Sequence, residues 1–139
     1  MLLAKEWGCG MFAFGKGGQD RLMHNCMVPF KLHNTGSGQL MGFVRNDGIR
    51  FDEKLLTSED MDIQLQEMQK YHKMLTVDRY YLDVKQWTND GGYQSIRVGR
   101  ETDKKYRDVL CAKWGNAVRV SKKQKAGVAY TVSVPLKGV

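Results

Sequence analysis

Several things are scarce in this sequence, and each scarcity excludes a class of protein. No apolar run approaches the about 20 residues that a bilayer-spanning helix requires, so no membrane span is expected. The opening Met1-Leu2-Leu3-Ala4-Lys5-Glu6 meets charge too soon to form the apolar stretch of a signal peptide. Cysteine occurs three times, at Cys9, Cys26 and Cys111, an odd number at wide spacing. A disulfide scaffold is therefore not indicated, and a reducing, cytoplasmic compartment is the expectation. Histidine is equally rare, with three residues and no nucleophile placed beside them by any motif.

Acid is also short relative to base: 15 Asp and Glu stand against 22 Lys and Arg in 139 residues, a net charge of +7. The excess is local, because residues 1–50 carry +3, residues 51–100 carry −2 and residues 101–139 carry +6. A concentration of positive charge attracts polyanions over long range, which points to nucleic acid or an acidic protein surface as partner. Length and composition suit one domain over 1–139, leaving room for a homo-oligomer.

Between Trp7 and Gly18 five glycines alternate with large apolar side chains. Glycine weakens regular structure and admits positive φ, so residues 1–20 read as a loop, a bulged edge strand or an arm. Its aromatics, Trp7, Phe12 and Phe14, need a surface to cover them, their own core or another chain. From Cys26 the apolar period becomes two, through Val28, Phe30 and Leu32, with Pro29 marking an edge. After Asn34-Thr35-Gly36-Ser37-Gly38 a second strand over about 40–45 is expected, and Asn46-Asp47-Gly48 supplies a further turn.

An amphipathic helix is predicted over about 58–75, with Thr57 as N-cap and Asp60 at the third position. Met61, Leu65, Met68, Tyr71, His72 and Leu75 form its stripe, which places His72 in the core. Residues 77–87 and 93–100 flank Thr88-Asn89-Asp90-Gly91-Gly92 as a hairpin. One face of that hairpin pairs Val84 with Ile96 and Leu82 with Val98; the other carries Arg79, Tyr81, Lys85, Trp87, Tyr93 and Arg97. A shorter helix follows over about 103–113, capped by Thr102, with Tyr106, Val109, Leu110 and Lys113 on one side. A third hairpin sets Val118 and Val120 against Tyr130 and Val128 across a loop bearing Lys122, Lys123 and Lys125. The resulting class is α+β: an antiparallel sheet of about three hairpins with the long helix packed on it.

Three motifs invite chemistry and are answered by their surroundings. Residues 10–17 have phosphate-loop spacing, but Gly17 stands where a magnesium-holding hydroxyl belongs. Cys9, His24, Cys26 and His33 lack the two-to-four-residue spacers of zinc ligand pairs. Asp83-Val84-Lys85 resembles the acidic-x-Lys element of metal-dependent nucleases, with Asp52 or Glu67 as the second acid, yet the hairpin register sets Arg97 opposite Asp83 as a simple ion pair. Residues 113–120, Lys113-Trp114-Gly115-Asn116-Ala117-Val118-Arg119-Val120, resemble the opening of swapped-hairpin antitoxin and transition-regulator DNA-binding domains. The acidic turn of that family is replaced by Lys122, Lys123 and Lys125, so its fold and contacts are not carried over.

The reading that follows is a non-enzymatic nucleic-acid-binding domain, single strands favoured, without metal or cofactor. Arg79, Lys85, Trp87, Tyr93 and Arg97 would stack on bases and meet phosphates, and Lys122, Lys123 and Lys125 would anchor the backbone. The alternatives are an assembly component docking through Trp7, Phe12 and Phe14, and a metal-dependent nuclease.

Overall fold

The chain begins with a helical turn that is closed by a glycine. The computed structural model describes residues 2–16, 29–33, 40–45, 48–82, 99–120 and 132–133, and places helix α1 at Leu2–Glu6. Gly8 has φ +68. Its N–H bonds to Lys5 O at 3.1 Å and that of Cys9 to Ala4 O at 2.8 Å, the two bonds of a Schellman closure. The closure turns the chain into strand β1, Met11–Lys16.

Strands β2 (Phe30–His33), β3 (Met41–Phe43) and β4 (Met74–Leu82) complete a four-stranded sheet ordered β2-β4-β1-β3. The class is α+β, but the sheet is mixed: β1 and β4 are parallel, while β2 on β4 and β3 on β1 are antiparallel. Residues 11–16 of the glycine-rich segment are thus a central strand rather than a loop or an edge. Cross-strand partners replace the regularity that its glycines forgo. Strands β2 and β3, expected to form a hairpin with each other, instead occupy opposite edges.

The chain divides into two compact units, residues 1–51 with 60–86, and residues 52–59 with 87–139. In the first unit one sheet face packs Leu75, Phe12 and Val77 with Leu3 and Ala4 of α1. The opposite face lies toward helix α2, Glu59–Tyr71, whose Gln64 donates to Met41 Sδ at 3.8 Å, Met41 being the register partner of Ala13. Strand alternation puts the buried Met11, Ala13, Met74 and Thr76 on this side. A Cβ at Gly10 would collide with the Glu67 carboxylate and the Tyr71 ring, and one at Gly42 with the Phe12 ring. These two glycines serve close packing.

Helix α2 is shorter than its periodicity predicts. It ends at Tyr71 because His72 adopts φ 61 and returns its N–H to Met68 O at 3.0 Å. Leu75, expected on the helix, is buried in β4, and His72, expected in the core, is exposed. The N-terminus also differs. Ser58 has φ 65, so Thr57 does not reach the cap position, and Asp60 Oδ1 takes the Met61 N–H at 2.8 Å instead. Burial is not confined to one stripe: Asp62, Ile63, Gln64, Leu65 and Glu67 are all buried. Gln66 Nε2 donates to Asp62 Oδ2 and to Arg50 O, each at 2.8 Å, so polar pairing fastens the helix to residue 50.

In the second unit helix α3 spans Gly99–Trp114, longer at its start than the 103–113 expected, so that residues 99–100 are helix rather than strand. Gly115, φ +53, opens a 3-10 turn, Gly115–Ala117. Strand β5, Arg119–Val120, then pairs with β6, Val132–Ser133. The third hairpin is present as an antiparallel pair, with Val120 opposite Val132 rather than Val128. Leu55, Leu110 and Val118 are buried here. Lys113 Nζ meets Asp52 Oδ2 at 2.8 Å, and Asp52 Oδ1 accepts the Lys54 N–H at 3.1 Å.

Two outcomes follow. His72→Gly removes the left-handed strain without uncovering packed surface and should raise stability in urea unfolding by about 0.5–1 kcal/mol. The Lys113 hydrogen bond, aided by the Lys54 N–H, holds the Asp52 carboxyl below its ordinary value. A depressed carboxyl stabilises the fold above its unfolded pKa, and that contribution is lost as pH falls through the folded value. Asp52→Asn should therefore melt below the parent at pH 7, with the two curves converging as pH falls below the ordinary carboxyl range.

Candidate functional site

The central parallel pair is interrupted. Phe14 is matched with Val77, but the next residue, Gly15, is matched with Tyr81, so Asp78, Arg79 and Tyr80 have no register partner on β1. On the other side the Asp78 N–H donates to Pro29 O at 2.9 Å, one step beyond the Phe30–Val77 pair, and proline has no N–H to return. A bulge re-aims the side chains it carries, which accounts for Arg79 and Tyr80 both being exposed although successive strand residues should face opposite ways.

Tyr80 leaves 60% of its surface open. The Arg79 guanidinium carbon lies 5.9 Å from the Tyr80 ring centroid, within cation–π range. Asp78 forms an ion pair with Lys31 of β2, so the one acid of the segment is compensated by a neighbouring strand. The site thus offers an open aromatic ring, an adjacent guanidinium and a locally neutralised acid.

Of the sequence-predicted residues, Arg79 is at this site. Lys85, Trp87, Tyr93, Arg97, Lys122, Lys123 and Lys125 lie outside the described residues, as do Asp83 and the 83–98 part of the expected hairpin. Tyr80 was missed by strict alternation, which assigns it to the face opposite Arg79. The signal for it was Asp78-Arg79-Tyr80-Tyr81, where charge and consecutive aromatics break the period of two.

The docking residues divide. Phe12 and Phe14 are half-buried on β1, their rings edge-to-face at 5.8 Å. Trp7 keeps 39% of its surface open and sits edge-to-face on Phe30 at 6.5 Å. Phe30 and Leu32, expected to point inward, are themselves 38% and 53% exposed.

The other motifs are placed as follows. Residues 11–16 of the phosphate-loop spacing are extended, 11–13 paired with β3 and 12–16 with β4, a geometry that cannot wrap a phosphate. Among the described residues no group of three His, Cys, Asp or Glu converges to hold a metal. Of the second acids considered for a nuclease, Asp52 bonds Lys113 and Glu67 is fully buried beside Gly10. No helix among the described residues is long and apolar enough to cross a membrane. No protein-family model, no curated protein and no solved structure matches this chain.

Cys9 and Cys111 are both free thiols. Burial pushes the Cys9 thiol up, with Lys73 opposing and Glu67 adding to the rise; burial and Asp108 raise that of Cys111. Cys9 is wholly enclosed whereas Cys111 is half-buried. Alkylation by iodoacetamide at pH 8, followed by peptide mass mapping, should modify Cys111 well before Cys9, which reacts only as the fold opens.

Proposed function

We propose that this chain binds single-stranded nucleic acid without transforming it, with Tyr80 as a stacking surface and Arg79 as its phosphate contact. The observation that carries the reading is the segment of β4 without register partners on β1, which holds an exposed tyrosine ring beside an exposed arginine. Every base has a π-face, so an open ring takes bases of any sequence, but only when they are not stacked in a duplex. Lys85, Trp87, Tyr93 and Arg97 are, in the proposal, further stacking and phosphate-contacting residues, named from the sequence alone. Lys122, Lys123 and Lys125 supply further phosphate neutralisation. The +6 carried by residues 101–139 favours the same class of partner.

The test is fluorescence anisotropy of labelled single-stranded and duplex oligonucleotides at low and high salt. Single strands should bind more tightly, with affinity falling as salt rises. Tyr80→Ala should weaken binding by about 1–3 kcal/mol, the range for one lost base–aromatic stack. Arg79→Ala should make the salt slope shallower by about one phosphate. Absence of any titration in dilute buffer would remove the nucleic-acid reading and favour an acidic protein surface as the partner.

A further inference from the structure

Strand β2 is the outermost strand of the four-stranded sheet, and among the described residues no strand lies beyond it. Its ladder with β4 fixes which backbone groups face outward. Pro29 O accepts from Asp78 across the ladder, so residues 29, 31 and 33 bond toward β4, and the N–H and C=O groups of Phe30 and Leu32 turn to the open edge. The side chains of those same two residues are exposed, with Trp7 packed edge-to-face on Phe30. Natural edge strands are commonly guarded by an unpaired charge, usually lysine. Here the lysine of β2 is disarmed, because Lys31 is ion-paired with Asp78 of its own sheet.

We propose that two copies of this chain associate through β2, antiparallel about a two-fold axis at Lys31, to form a continuous eight-stranded sheet. In that register Phe30 of each copy stands opposite Leu32 of the other, and the outward backbone groups of both residues are satisfied reciprocally. The apolar–charged–apolar order of Phe30-Lys31-Leu32 reads the same from either end, which is the self-complementarity that a two-fold interface demands. Lys31 then faces Lys31 of the second copy as the close, non-hydrogen-bonded pair. Like charges so placed repel, and the Asp78 carboxylate beside each lysine cancels that repulsion. A second copy fits this edge better than an acidic partner does, because the edge offers no uncompensated charge.

Sedimentation equilibrium of the full chain tests the proposal. Over loading concentrations from ~1 µM to ~1 mM, which bracket weak dissociation constants, the mass should rise from 15.9 kDa toward twice that value. Leu32→Lys, at a position already open to water, should stay folded by circular dichroism and weaken self-association at least about tenfold. The register has its own readout. Facing Cα atoms of a non-hydrogen-bonded pair lie about 4.5 Å apart, within disulfide reach. Lys31→Cys should therefore cross-link to itself under mild oxidation, whereas Phe30→Cys, displaced along the strand from its own copy, should not exceed the parent. A single-chain mass throughout would overturn the proposal and hand the strip to a different protein. Self-association untouched by Leu32→Lys, or without the Lys31→Cys cross-link, would overturn the β2 pairing equally.

Discussion

The parallel pairing of β1 with β4 is the constraint on which the first unit depends. Strands that run in parallel cannot be joined by a tight turn, so the chain between Lys16 and Met74 must travel the length of the sheet and return. On that journey it deposits β2 and β3 on opposite flanks and α2 on one face. The pairing also sets what is buried. Phe12 beside Leu75 and Ala13 beside Thr76 form the middle of the sheet, and full burial of side chains such as Met11 and Leu75 contributes roughly 1.5–3 kcal/mol each. Gly10 has its place for the same reason: β1 must enter beneath Glu67 and Tyr71, which leaves no volume for a side chain.

Burial of Asp62, Gln64, Glu67 and Thr76 in this unit shows how far its interior departs from an oil-like core. Carboxylates out of water are costly unless hydrogen-bonded or paired. The Gln66 side chain shows how this is arranged at one end of the helix, since its amide donates both to Asp62 and to the Arg50 carbonyl while its oxygen accepts the Arg50 N–H. A hydrophobic pattern read along α2 therefore finds the helix and, at Leu65, only part of its packed face. Met61 and Met68, chosen by spacing, are only half-buried, whereas Asp62 and Glu67, excluded by charge, are fully enclosed.

That contrast explains what could be read from residues alone. Both longer helices and the α+β class were legible because apolar spacing is a local signal, although neither expected N-cap, Thr57 or Thr102, stands at its helix start. The glycine after α3 marked its end correctly, at Gly115. What escaped was decided by partners distant in the chain. Residues 11–16 look unfit for a central strand until β3 and β4 are placed on either side of them. Helix α2 looks able to run through Leu75 until β1 claims that residue. His72 performs the turn that glycine usually makes, so no composition signal announced it. For the candidate site, Arg79 was legible as a basic residue in a strand, but Tyr80 required knowledge of the break in the ladder.

Pro29 links the two surfaces assigned to this unit. Standing just before β2, it accepts one bond from Asp78 and returns none, beside the point where β4 loses its register with β1 and exposes Arg79 and Tyr80. The same bond fixes the phase of β2, and with it the outward direction of the Phe30 and Leu32 backbone groups. The Lys31–Asp78 ion pair lies across this junction. It neutralises the acid next to Tyr80, where a free carboxylate would repel a phosphate, and it withdraws the lysine that would otherwise guard the edge. One proline and one ion pair thus govern both the cationic aromatic surface and the open edge, and a change at either residue of the pair acts on the two surfaces at once.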